Sequence, residues 1–295
     1  MSTLGKRLIS RAEPRSLALE TTLLVHGVPR ASALPLAREL GALAREAGAS
    51  AAIVGVVRGR PVVGMNDDEL EEMLAQPSMP KANSANLGAL MHRGEWGATS
   101  VSATMELAAA AGLMVFATGG LGGVHRGYGE RWDASADLAA LARFPVAVVA
   151  SGVKSLLDVV STREALETLG VPVIGFGCDE FPAFVVRQSG AGVDARFDDV
   201  TDLARYLRSE VSRTGRGALV ANPIPKEAAI EPSQFERWLQ EAEASVRDRR
   251  APGRAVTPLL LEALERVSGG ATVRANLALI RENVRLGARL AGASV

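Results

Sequence analysis

The chain of 295 residues has one cysteine, Cys178, which excludes an internal disulfide and a cysteine-based zinc site. It has no excess of charge either. Its 33 basic residues balance 33 acidic ones, so polymeric nucleic acid and anionic membranes are not indicated, and a small molecule is the expected partner. No apolar run reaches the length of a membrane span, and the opening MSTLGKRLISRAEPRS lacks the continuous apolar core of a signal peptide. A soluble, cytoplasmic protein is expected. Lysine is the scarcest cation: Lys6, Lys81, Lys154 and Lys226 stand against 29 arginines. Arginine stays protonated, whereas a lysine amine can lose its proton and attack a carbonyl, so a lysine in an apolar setting is a candidate nucleophile.

What is present is a regular alternation. Hydrophobic residues make up 47% of the chain, enough for a sizeable core. Residues 16–25, 50–59, 113–118, 145–151, 171–177 and 217–225 read as apolar strands. Helical periods fall at 32–48, 66–76, 135–144, 155–170, 233–250, 257–268 and 272–292. Strands that are apolar throughout and separated by helices imply an α/β fold with a mostly parallel sheet covered on both faces. In such sheets ligands bind beyond the carboxyl ends of the strands, which makes the strand-end residues the candidates.

FATGGLGGVHRG (116–127) places five glycines after an apolar run. It fails as a dinucleotide fingerprint, because the third required glycine falls on His125, and as a Walker loop, because Tyr128 stands where lysine should follow Gly127. Two readings remain: a turn whose positive-φ glycines aim N–H groups at an anion, with Thr118 and His125 as further donors to a phosphate, or a tight turn without a ligand. VAVVASGVKSLLDVV sets Lys154 just past a strand, at the expected start of a helix with Asp158 one turn on. There the helix field and desolvation would favour the neutral amine; the alternative is a lysine that snorkels its head to water. Asp133 and Asp137, flanking Ser135, would share one side of a helix start, capping free N–H groups or holding a hydrated divalent cation. Glu20 interrupts an apolar run and is either a general acid with a raised pKa or a solvated edge residue. His26 and Cys178 read as structural.

As a set, ALETTLLVHGVP, GATSVSATM, FATGGLGGVHRG, WDASADL, SGVKSLLD, LVANPIP and TPLLLEAL with SGGATVRANLALIREN resemble the pseudouridine-5′-phosphate glycosidase family, also named for indigoidine synthase A. The resemblance runs in consistent order from residue 16 to 292. It implies one α/β/α domain spanning 1–295, with residues 1–15 as an N-terminal extension, and a homotrimer. The implied reaction, assisted by Mn2+, makes or breaks the bond between C1′ of ribose 5-phosphate and C5 of uracil. Position by position it implies Glu20 as proton donor, Lys154 as Schiff-base nucleophile and Asp133 as metal ligand. Lys81, Val101, Ser135, Ala136, Asp137 and Asn276 would be substrate contacts. A C-glycosidic bond has no leaving oxygen to protonate, so a pair of carboxylates cannot simply break it. An iminium between Lys154 and C1′ supplies the missing electron sink.

One departure from the family pattern stands out. After the lysine the family shows a serine, two arginines and an aspartate, where this chain has Asn83, Ser84, Ala85 and Asn86. The expectation is an intact lysine machinery with altered recognition of phosphate or aglycone, as in a C-ribosylating synthase acting on a polyketide-derived aromatic ring. A housekeeping glycosidase with local drift fits as well. A catalytically silent ribose-phosphate-binding module is the reading from another class.

Overall fold

The computed structural model describes residues 7–127, 129, 133–246 and 253–293. The first half of the chain contains β1 (Ile9–Ser10), β2 (Leu17–Glu20), α1 (Thr22–His26), α2 (Arg30–Glu46), β3 (Ala51–Val57), β4 (Arg60–Val63), α3 (Asp67–Ala75), β5 (Lys81–Ala82) and α4 (Leu87–Arg93). Then come β6 (Gly97–Thr99), α5 (Val101–Ala110), β7 (Val115–Ala117), β8 (Val124–His125), α6 (Ala136–Arg143), β9 (Ala147–Ala150) and β10 (Leu157–Asp158). The remainder is α7 (Val159–Thr168), β11 (Val173–Phe176), β12 (Ala195–Phe197), α8 (Val200–Thr214), β13 (Ala218–Ala221), α9 (Pro232–Val246), α10 (Gly253–Val267) and α11 (Ala271–Ala293).

The main sheet runs β1-β4-β3-β2-β7-β9-β13-β11-β12, with β6 on β3 and β5 on β6. Its ladders are parallel except where β3 meets β4 and β6. Alternate residues of each strand point to opposite faces, and both faces are apolar because helices cover both. Leu17, Leu19, Ala117 and Val149 pack with α2, α8 and α11. Ala18, Phe116 and Val148 pack with α5, α6 and α7. The expected sandwich around a mostly parallel sheet is what the chain forms.

Several boundaries differ from the sequence expectation. The strand expected over 16–25 stops at Glu20, and Thr22 opens a helix. The buried Thr21 hydroxyl donates to the Val54 carbonyl at 3.0 Å and accepts from the Thr99 N–H at 2.8 Å, which turns the chain out of the sheet. A short apolar run is compatible with strand or helix, so only these contacts decide. The helix expected from 155 begins at Val159, because residues 157–158 pair antiparallel with β8. Within the expected N-terminal extension, Ile9 and Ser10 pair with β4 at the sheet edge; residues 1–6 of it, and 247–250 of the expected helix 233–250, lie outside the described residues. Helix α5 escapes periodicity analysis because most of its circumference is buried. Among the described residues, no helix is long and apolar enough to cross a membrane.

Candidate active site

The carboxyl ends of β2, β7 and β9 lie side by side and carry Glu20, Thr118 and the loop that holds Lys154. Beyond the regular strands, the pairing of β7 with β9 continues as a ribbon. Thr118 N–H donates to Val149 O at 3.0 Å, Ser151 N–H to Gly119 O at 3.0 Å, Leu121 N–H to Gly152 O at 3.0 Å and Lys154 N–H to Leu121 O at 3.1 Å. The glycine turn and the lysine loop are therefore one hydrogen-bonded unit. Lys154 is half-buried in that loop and does not open a helix. Asp158, expected as its neighbour one turn on, caps α7 by accepting from Ser161 N–H at 2.9 Å. The helix field invoked for Lys154 belongs to a segment that starts after it.

The glycines of the turn also serve a different end from the expected one. Of the five, only Gly127 has a positive φ, of 80°. The others are required by crowding: a Cβ at Gly120 would stand 2.6 Å from the Phe184 ring, at Gly122 2.3 Å from Ser135 Oγ and at Gly123 2.3 Å from Thr162 Oγ1. Several amides of the turn already have protein acceptors. Gly122 N–H donates to Asp137 Oδ2 at 2.9 Å and Val124 N–H to Thr162 Oγ1 at 2.9 Å. Gly120, Gly122 and Gly123 thus serve close packing against three neighbouring segments.

Asp133 and Asp137 are separated for the same reason. Residues 133–135 run beside 123–125, with His125 N–H donating to Asp133 O at 3.0 Å and Ser135 N–H to Gly123 O at 2.9 Å. Helix α6 starts only at Ala136, capped by the Ser135 hydroxyl, which accepts from Asp137 N–H at 3.2 Å. The buried Asp137 carboxylate accepts from Ser102 N–H at 3.1 Å and Gly122 N–H at 2.9 Å, tying the start of α5 to the glycine turn. Val101 is the first residue of α5 and stands at that junction.

Charge converges on the same spot. The Thr118 hydroxyl donates to Glu20 Oε1. On its inner side Glu20 adjoins Leu19, Leu24, Ile53 and Ile280. Burial in this apolar wall pushes the Glu20 carboxyl up from the ordinary glutamate value; the Lys154 charge, the Thr118 bond and the Lys81 charge pull against it, and Asp137 adds to the rise. Lys81, on β5, is pushed down by burial and by the Lys154 cation, against the pull of Glu20 and Asp137. Two of the chain's four lysines and two carboxylates therefore act on one another from β2, β5, α6 and the lysine loop. Glu20 is no edge residue, since β2 lies between β3 and β7.

Other candidates stand around this cluster. Asn276, on α11, has a buried Oδ1 without a hydrogen-bond partner, 3.0 Å from where a Cβ on Gly119 would lie. His125 Nε2 is 3.9 Å from Asp133 Oδ1, and the Asp133 side chain is 43% exposed. Among the described residues no group of three His, Cys, Asp or Glu is placed to hold a metal ion. A single accessible carboxylate fits a hard divalent cation that keeps most of its water, and does not fit a closed protein cage. The loop after Lys81 binds itself: Asn83 Oδ1 accepts from Ala85 N–H at 2.9 Å and Asn86 N–H at 3.1 Å, and the Asn86 amide donates to Lys81 O at 3.0 Å. Ser84 Oγ is buried without a partner.

Sequence reasoning missed Phe184 and Asn283. Phe184 adopts φ 61°, its N–H donates to Ser151 O at 2.8 Å, and its ring lies against Gly119 and Gly120. No pattern around it in the sequence marks it. Asn283 lies fully buried in an amphipathic helix, a polar residue on the apolar stripe, and that misplacement is the signal that would have found it.

Residues 9–293 match the model of a family described as indigoidine synthase A like protein. The chain is 46% identical over 280 residues to a pseudouridine-5′-phosphate glycosidase of Streptomyces griseus, covering 94% of this chain and 87% of that protein. It is 45% identical to a pseudouridine-5′-phosphate glycosidase of a Jannaschia species, covering 94% and 92%. Among solved structures it resembles an indigoidine synthase A-like protein of Thermotoga maritima, at 37% identity and a TM-score of 0.88, covering 96% and 95%. It also resembles the prealnumycin C-glycosynthase AlnA, solved in complex with ribulose 5-phosphate, at 33% identity and a TM-score of 0.90, covering 97% and 96%.

Proposed function

We propose that this chain, which belongs to the indigoidine synthase A-like family, is a pseudouridine-5′-phosphate glycosidase that converts pseudouridine 5′-phosphate and water to uracil and ribose 5-phosphate. The observation that carries the reading is the convergence of Glu20 and Lys154, from the ends of β2 and β9, with Lys81 of β5 and Asp137 of α6. Lys154 Nζ forms a bond to C1′ as the bond from C1′ to the ring oxygen breaks, and that oxygen takes up a proton. Glu20, whose carboxyl the apolar wall shifts toward the protonated form, donates a proton to the base carbon. The carbon–carbon bond then breaks with its electron pair staying on the base, while the nitrogen lone pair closes C1′=N. Water hydrolyses this iminium, releasing ribose 5-phosphate and the free amine. Thr118 orients the Glu20 carboxyl through its hydroxyl.

Lys81, whose charge acts on Glu20, supplies a cation for the sugar phosphate, together with the Val101 and Ala136 backbone at two helix starts that Ser135 and Asp137 hold in place. His125 and Asn276 offer polar atoms to the planar base. Asp133 is the residue that would anchor a Mn2+ ion, whose chemistry there is to offset phosphate charge. A homotrimer is the proposed assembly, checked by light scattering coupled to gel filtration.

A second reading is favoured by one observation. Where the family pattern has arginines, the 83–86 loop holds only uncharged side chains, and those of Asn83 and Asn86 bond the loop's own backbone. Run in reverse with a larger aromatic carbon nucleophile, the same iminium gives a C-glycosynthase, the activity named for the similar AlnA. Incubation with pseudouridine 5′-phosphate and Mn2+ separates the two: release of uracil supports the glycosidase. Absence of uracil, with borohydride fixing ribose 5-phosphate to Lys154, supports the synthase. If borohydride adds no mass to the Lys154 peptide, both enzyme readings fall and a silent binding module remains.

A further inference from the structure

Behind the candidate site, on the α11 face of the sheet, lies a polar knot in an otherwise apolar layer. Asn283 is 0% exposed. Its Nδ2 donates to Thr118 O at 2.8 Å, to Gly119 O at 3.3 Å and to Ser151 Oγ at 3.2 Å. Its Oδ1 accepts from Asn222 Nδ2 at 2.9 Å. The Ser151 hydroxyl donates to Asn222 O at 2.8 Å, and Asn222 N–H donates to Ala150 O at 2.9 Å. The two carbonyls facing Asn283 can only accept, so the amide has one orientation that satisfies it.

Such a knot is costly in an apolar layer unless every member is paired, and these are. The neighbouring buried positions of α11, Leu279 and Val284, are apolar. What asparagine adds is a simultaneous grip on the ends of three adjacent strands, β7, β9 and β13. Two of these ends lead into the chemistry. Thr118, gripped at its carbonyl, has its hydroxyl on Glu20. Ser151 begins the loop to Lys154.

We propose that Asn283 is a positioning residue, resting on the reading that Lys154 and Glu20 carry the reaction: it fixes the ends of β7 and β9 in one register, so that amine and acid meet C1′ and the base carbon together. It touches no substrate. The phosphate contacts hang on other elements, β5, α5 and α6, so phosphate binding does not depend on it.

The test is Asn283→Ala and Asn283→Asp in the full chain. Kinetics with pseudouridine 5′-phosphate are expressed per active site, counted by borohydride fixation of ribose 5-phosphate to Lys154. For Asn283→Ala the expected result is an unchanged KM with kcat lowered about 100-fold, the cost of displacing reacting groups by about 1 Å. In Asn283→Asp, an ionised carboxylate repels the carbonyls of Thr118 and Gly119, whereas the protonated acid can donate to one of them. Its kcat, relative to the parent, therefore recovers as pH falls. A purely structural role predicts a lower melting temperature with kcat per active site unchanged and no such recovery, and that result overturns the proposal. Amide hydrogen exchange without substrate gives a second readout: Leu121 and Lys154 should exchange faster in Asn283→Ala than β3 does. Uniform acceleration across the sheet also overturns it. A parent chain that forms no iminium refutes instead the reading on which the proposal rests, while the exchange measurement still reports whether the clamp exists.

Discussion

Replacing Thr118 by valine removes one hydroxyl and almost no volume, and isolates the control of Glu20. That hydroxyl donates to a carboxyl which burial has already driven up, and its bond is one of the few influences holding the acid down. A hydrogen bond to a charged group contributes about 1.5–3 kcal/mol. At about 1.4 kcal/mol per pH unit, losing the bond to the ionised form should raise the Glu20 pKa further by about one to two units. With Glu20 as the proposed proton donor, activity falls as it ionises, so the high-pH limb of kcat should move upward by the same amount in Thr118→Val. The assay is uracil release across pH, with the glutamate carboxyl carbons of the free enzyme followed by NMR. A limb that stayed in place or moved to lower pH would refute the assignment of Glu20 as donor or of Thr118 as its partner. A fall in maximal kcat alone would not, because the variant also loses the bond that orients the acid.

Four further outcomes follow from the same geometry. Glu20→Gln should abolish uracil release yet stabilise the fold. A folded-state pKa raised by burial contributes stability that is complete below the ordinary glutamate value of about 4.3 and is lost as pH rises through the raised value. The melting-temperature gap between variant and parent should therefore open from acid to neutral pH, and a constant gap would contradict it. Gly152→Ala places a Cβ 1.7 Å from Pro182 O at a φ of 75°, and urea melts should show a loss of at least about 4 kcal/mol. Gly88→Ala, in α4 with open space around it, should instead gain about 0.5–1 kcal/mol. Burial pushes the Cys178 thiol up to about 11, so thiol reagents at neutral pH should modify the native chain far more slowly than the urea-unfolded one.

The sequence by itself determined the architecture and the chemistry available to it. Apolar strands alternating with helices can bury both strand faces only in a covered, mostly parallel sheet, and the scarcity of lysine singled out Lys154 because no arginine can form an iminium. The order of motifs was enough to mark the family. It could not assign the glycines of the turn, because the crowding that demands them comes from Phe184, Ser135 and Thr162, distant in sequence and brought there by other elements. Nor could it separate Asp133 from Asp137: spacing of four suggests one helix face, but the backbone pairing of 133–135 with 123–125 delays the helix and turns Asp137 onto the start of α5. The fate of Glu20 needed the sheet order, since a carboxylate in a strand is solvated at an edge and desolvated at the centre. Asn283 is the extreme case. Its side chain acquires meaning only when three strand ends converge on it, and a linear chain contains no trace of that convergence.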